Sequence, residues 1–185
     1  MNTDWHNIIP LNIAKALKLY RAEKTHSRKS LQGVRISTEQ GSNIVVLEAS
    51  DGFGAISINC TLPAATDLDL EAVITRESLD TYIRLKGAHD LEFDEEEKFP
   101  SFIDFMRATR DSQEMLVEFD SPTAVMSRLL ERVGKAARII YGPSSGLRVS
   151  QEEGEGLSVI KFHCPGDNEP TAEAITDMFL MPMRI

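Results

Sequence analysis

At 185 residues, 42% hydrophobic and 26% charged, the chain has the length of one large domain or two small ones and the make-up of a soluble globular protein. No apolar run approaches the ~18 residues of a membrane span, and Met1-Asn2-Thr3-Asp4-Trp5-His6 lacks a basic stretch leading into an apolar one, so neither a membrane protein nor a signal peptide is expected. Two cysteines, Cys60 and Cys164, do not make a disulfide framework and are expected as reduced thiols of a cytoplasmic protein. The net charge of −9 argues at first against nucleic acid, but its distribution reverses that argument. Segments 11–29, 76–86 and 122–138 hold 13 of the 20 Lys and Arg but four acids (Glu23, Glu77, Asp80 and Glu131), leaving +9 there and −18 elsewhere. Such a partition implies one basic surface on an acidic body.

In chain order, residues 11–24 place Ile13, Ala16, Leu17 and Tyr20 on one helical face and Lys15 and Lys18 on the other. Three β-like runs follow, 31–38, 43–50 and 54–62, with turn signals at 40–42 and at Asp51-Gly52. The unbroken apolar run Ile44, Val45, Val46, Leu47 predicts a strand buried on both faces. A strand over 68–74 leads to Thr75, a natural N-cap for a helix over 76–86. The stretch 90–98 holds four consecutive acids at 94–97. Phe99-Pro100-Ser101-Phe102 resumes an extended apolar segment, and 107–112 connects. A strand over 115–119 then precedes a helix over 122–138, capped by Asp120 or Ser121 with Pro122 at its first position. That helix aligns Val125, Met126, Leu129, Leu130, Val133 and Ala137 on one face and Arg128, Arg132 and Lys135 on the other. Four β-like runs close the chain, at 138–141, 147–151, 157–163 and 177–184.

The pattern of a strand, a helix with a basic outer face, then several strands, occurs clearly at the two ends and weakly in the middle. It predicts an α+β protein with helices packed on one face of antiparallel sheet.

Enzymatic signatures are missing. There is no G-x-S-x-G, P-loop or H-E-x-x-H, and the four histidines fall in four different elements. His163-Cys164 would point to opposite faces of a strand, and the acids at 94–97 lack the alternating spacing of a calcium loop, so neither a metal nor another cofactor is expected. The basic helix faces carry no interleaved aromatic residues, which argues against single-strand binding and for sequence-independent contact with phosphates. The residues expected to make that contact are Lys15, Lys18, Arg21, Arg128, Arg132 and Lys135.

Four segments resemble the bacterial sliding clamp, the beta subunit of DNA polymerase III. Ser30-Leu31-Gln32-Gly33-Val34-Arg35-Ile36 is similar to the strand after a domain's first helix, and Leu47-Glu48-Ala49-Ser50-Asp51-Gly52 to the strand and turn ending in Ala-Thr-Asp-Gly. Phe99-Pro100-Ser101-Phe102 resembles the family's Phe-Pro-Asp-Tyr, and Phe179-Leu180-Met181-Pro182-Met183-Arg184-Ile185 its C-terminus. Residues 116–135 are similar to its last strand–helix pair, so the order of the segments is the family's.

The resemblance implies a DNA-clamp fold, a non-catalytic processivity factor, and a ring-shaped homo-oligomer whose helices line a hole around double-stranded DNA. It also implies a hydrophobic groove for peptides of DNA polymerase and the clamp loader, with walls at Gly52, Phe53, Pro100, Met181, Pro182, Met183 and Arg184. Where the family has His-Arg-Leu after Asp-Gly, this chain has Phe53-Gly54-Ala55, which removes a cation from the wall. The chain is also shorter than the family's by at least one domain, as a reduced, phage-type member would be. The organisation expected is a clamp-like domain over 1–105 with an abbreviated second half, and a C-terminal half-domain over 106–185. A ring of twelve half-domains then needs four chains, or six if the middle block is an insertion. The alternative is a clamp-like interaction protein that binds such peptides, or DNA, without encircling it.

Overall fold

The computed structural model describes residues 9–62, 64–67, 69–99, 127–143, 148–154, 157–164 and 175–180. Among these residues eight strands form one antiparallel sheet. They are β1 (Val34–Thr38), β2 (Ile44–Ser50), β3 (Gly54–Thr61), β4 (Leu70–Ile74), β5 (Phe93–Asp94), β6 (Arg148–Gly154), β7 (Leu157–Cys164) and β8 (Ile175–Leu180), in the order β5-β4-β1-β2-β3-β8-β7-β6. Among the described residues three helices, α1 (Leu11–Lys18), α2 (Arg76–Arg84) and α3 (Ser127–Tyr141), contribute to one core on one side of that sheet.

The repeat seen in sequence at the two ends has a structural form. Helix α1 is followed by the meander β1-β2-β3, and α3 by the meander β6-β7-β8. The two units join third strand to third strand, β3 against β8, in a register running from Gly54 opposite Leu180 to Asn59 opposite Ile175. Helices α1 and α3 lie antiparallel, with Asn12 Nδ2 donating to Ile140 O (3.4 Å) at one end and Arg132 over the Tyr20 ring at the other. The expected boundary at 105/106 falls outside the described residues, yet the chain on either side of it shares one sheet and one core. Ile13 and Leu17 of α1 belong to the same cluster as Leu129, Val133 and Ile140 of α3, Ile56 of β3, Phe162 of β7 and Met178 of β8.

Local chemistry explains most boundaries. Thr75 caps α2 as expected, its Oγ1 accepting from Ser78 N at 3.3 Å. Helix α1 stops at Lys18, short of the expected 24, because Leu19 N and Tyr20 N tighten onto Ala16 O and Leu17 O. Leu31 and Gln32 belong to a 3-10 turn (Ser30–Gln32) rather than to β1.

Two expectations are corrected. Residues 138–141 continue α3 instead of forming a strand: Ile140 extends the buried face of Leu129, Val133, Ala136 and Ala137, and that periodicity overrides the β preference of Ile139 and Ile140. Gly142, at φ 92°, ends the helix. The run 44–47 is not buried on both faces either. Val45 and Leu47 enter the core while Ile44 is exposed and Val46 half-buried, the alternation of a strand with helices on one side only. The expected strand at 115–119, the caps at 120–122 and the segment from Pro100 to residue 112 lie outside the described residues.

Candidate functional site

Two candidate surfaces are built on this frame. The first is the outward side of the helix layer. Along α3 the core takes Leu129, Val133, Ala136, Ala137 and Ile140, so the opposite stripe exposes Arg128, Glu131, Lys135 and Arg138. On the neighbouring α1, Ile13, Ala14, Ala16 and Leu17 are buried while Lys15 and Lys18 are exposed. Arg138 closes the segment 122–138, where its charge was counted, but it was not among the expected contacts because the run 138–141 reads as β-like. Its signal was its spacing, three residues beyond Lys135 and ten beyond Arg128 on a helical stripe.

Two of the six expected phosphate contacts are withdrawn from this surface. Arg21 follows the end of α1 and folds back into the protein, its side chain 2% exposed, donating to Asp80 Oδ2 (2.6 Å) and to Arg76 O (3.1 Å). Helical projection from 11–24 put it outside, and the early stop of α1 put it inside. Arg132 is turned toward the sheet, donating to Asp51 Oδ2 (2.7 Å) with its guanidinium 5.4 Å from the centre of the Tyr20 ring. Burial pushes the Tyr20 phenol well up, Arg132 pulling the other way and Asp51 adding to the rise. Lys18 stays exposed but is engaged by Asp80 Oδ1 at 2.6 Å. Lys15, Arg128 and Lys135 stand outward as expected.

The second surface surrounds the β2–β3 turn. Asp51 Oδ1 accepts from Phe53 N and Gly54 N, both at 3.0 Å, and Ser50 Oγ accepts from Gly52 N (3.1 Å) while donating to Gly54 O (2.9 Å). Gly52, at φ 88°, takes the left-handed corner that such a turn requires. The result presents Phe53 to solvent, 52% exposed, on a fully bonded turn. Gly54 is paired with Leu180, the last residue of β8, so the end of β8 lies beside this turn. Pro100 and the tail residues Met181, Pro182, Met183 and Arg184 lie outside the described residues.

Elsewhere the chemistry is structural. Burial pushes the Cys60 thiol up to about 12, so it stays protonated and inert. Asp94 Oδ1 caps the acidic run by accepting from Glu96 N (3.0 Å) and Glu97 N (3.2 Å).

No protein-family model and no curated protein matches the chain. Solved structures do. A Helicobacter pylori beta clamp in complex with carprofen superposes with a TM-score of 0.65 over 96% of this chain and 65% of that one, at 10% identity. A second H. pylori beta clamp, in complex with diflunisal, gives 0.58 over the same shares at 10% identity. The beta subunit of DNA polymerase III from Thermotoga maritima gives 0.50 at 12% identity, over 95% of this chain and 63% of that one. The chain therefore spans about two thirds of the length of the clamps it matches. At these identities the likeness is one of fold: an eight-stranded antiparallel sheet with its helices on one side, built as in the bacterial sliding clamps.

Proposed function

We propose that the chain is a subunit of a DNA sliding clamp, a non-catalytic processivity factor that surrounds double-stranded DNA as a ring of four or six copies. The observation that carries this reading is the outward helix layer. Lys15 on α1 and Arg128, Lys135 and Arg138 on α3 stand exposed on the side away from the sheet, in a protein whose net charge is −9. Flexible cations without base-reading partners hold phosphates irrespective of sequence, as a sliding protein must.

Replacing Lys15, Arg128 and Lys135 together by Glu is expected to abolish retention on circular duplex DNA while leaving the fold intact, because all three are solvent-facing. Retention equal to that of the unmodified protein would remove the assignment.

The Phe53 turn and the chain leaving β8 are proposed as walls of a groove for short apolar peptides of a DNA polymerase or clamp loader, with Gly52, Phe53, Pro100, Met181, Pro182, Met183 and Arg184 contributing. The pairing of Gly54 with Leu180 supports this, since it brings the start of the tail beside the turn. Methionines suit a surface that serves several partners. Carprofen, with which an H. pylori beta clamp of the same fold forms a complex, is proposed as a small-molecule probe of that groove. No described helix is long and apolar enough to cross a membrane, and a cytoplasmic location is part of this proposal.

The engagement of Arg21 and Arg132 inside the protein favours a second reading, a clamp-like binding protein that forms no ring around DNA. Native mass separates the two: a strictly monomeric species at micromolar concentration supports the second.

A further inference from the structure

We propose that Arg132 is a positioning residue for the Phe53 turn, acting through Asp51, and not a contact to DNA. The proposal rests on the groove reading above. Arg132 belongs to the helix whose outward stripe carries Arg128, Lys135 and Arg138, but its own side chain is 19% exposed and points the other way. Both oxygens of Asp51 are in use. Oδ1 holds the amides of Phe53 and Gly54, and Oδ2 accepts the charge-assisted bond from Arg132 Nη1 at 2.7 Å.

The bonds of Ser50 and Asp51 to Gly52, Phe53 and Gly54 fix the shape of the turn but tie it only to itself. The pair with Arg132 fixes where that shape sits, against α3 and the end of α1. The guanidinium is held in turn by the face of Tyr20, which is fully buried and cannot follow it outward. For Arg132 to reach a phosphate it would have to leave both the carboxylate and the ring, and Asp51, 17% exposed, would lose its cation. Lysine is a poor substitute, because an ammonium does not stack and has no planar fork. One helix thus serves both surfaces, outward cations for the polyanion and one inward arginine for the turn that displays Phe53.

The test compares Arg132→Met, Arg132→Lys and Asp51→Asn with Lys135→Met on the full chain. Three quantities are read: hydrogen exchange of the Phe53 and Gly54 amides, carprofen affinity, and the salt dependence of duplex DNA binding. Arg132→Met is expected to speed exchange of both amides and to weaken carprofen binding, each about tenfold, with the DNA salt slope unchanged. Arg132→Lys should recover part of the loss. Asp51→Asn keeps an oxygen for the turn amides but removes the ion pair, so it should shift carprofen affinity in the same direction. Should Arg132→Met not fold, Asp51→Asn carries the test alone. Lys135→Met should do the reverse, leaving amides and carprofen unchanged and lowering the salt slope by about one. A drop in salt slope for Arg132→Met with unchanged amide exchange would overturn the proposal. If the unmodified protein does not bind carprofen, the groove reading fails, while amide exchange still decides whether Arg132 positions the turn.

Discussion

Arg21 and Asp80 meet at 2.6 Å, the arginine side chain almost wholly buried and the carboxylate about one third exposed, and their pair ties the end of α1 to α2. Asp80 also receives Lys18 at 2.6 Å, so one acid holds two of the cations that helical projection sends to the surface. Asp80→Asn leaves the Arg21 guanidinium buried without its countercharge. The expected cost is about 1–3 kcal/mol, the lower part of that range because Asp80 is partly solvated, read as a lower urea midpoint at unchanged slope. Lys18→Met removes only an exposed pair and should cost less than about 1 kcal/mol.

The same carboxylate gives a pH signature. Burial works to raise the Asp80 carboxyl, but the hydrogen bonds from Lys18 and Arg21 outweigh it and hold the group below the usual carboxylate range. A folded-state value below the unfolded one means that the stabilisation is complete above the unfolded value of about 3.9 and is lost as pH falls through the depressed folded value. Acid unfolding of Asp80→Asn should therefore be flatter than that of the unmodified protein below about pH 4, with the two stability curves converging there. Parallel curves down to the acid limit would contradict the pairing.

Across the sheet, Arg35 of β1 donates to Glu48 of β2 at 2.8 Å and to Glu71 of β4 at 2.6 Å, with the Glu48 side chain 1% exposed. Burial alone would lower the guanidinium's proton affinity, but its hydrogen bonds to Glu71 and Glu48 more than offset that and keep it raised. Glu48→Ala removes the buried acid and leaves Arg35 with solvent-exposed Glu71, so the expected cost is about 3 kcal/mol, the low end for a broken buried pair, by denaturant unfolding. Arg35→Met combined with Glu48→Leu should recover much of that loss, since apolar replacement of both partners removes the half-compensated buried charge.

Gly33 marks a close approach of backbones. A Cβ there would meet Ile74 O and Val73 Cγ1, both at 2.5 Å. The carbonyl belongs to β4, paired with β1 at Val34–Ile74, and it cannot move without widening that pair. Gly33→Ala is expected to destabilise by about 1–3 kcal/mol, with the melting temperature as the readout.

Much of this fold is legible in the residues. Thr75 announced its helix, Asp51-Gly52 its turn, and the β-like runs 43–50 and 54–62 their strands, because each depends on neighbours in sequence, whereas the one-sided burial of Val45 and Leu47 was not read from the unbroken run 44–47. What was not legible depends on partners far along the chain. Helix α3 keeps residues 138–141 because Ile140 finds the core. Arg21 and Arg132 lie on basic helical projections and became structural because Asp80, 59 residues away from Arg21, and Asp51, 81 away from Arg132, wait at the right places. Charge counting located the basic helix layer, but it could not tell which cations were already engaged. Lys15, Arg128 and Lys135 are the expected contacts left standing outward without such a partner among the described residues.

A ring closed around DNA is a topological link, and retention on circular against linearised duplex DNA tests it most directly. Loaded onto a closed circle in moderate salt, the protein should stay bound through gel filtration and be released when a single cut lets it slide off the end. Equal retention on the circle and the cut molecule, or none on either, would contradict a ring around DNA.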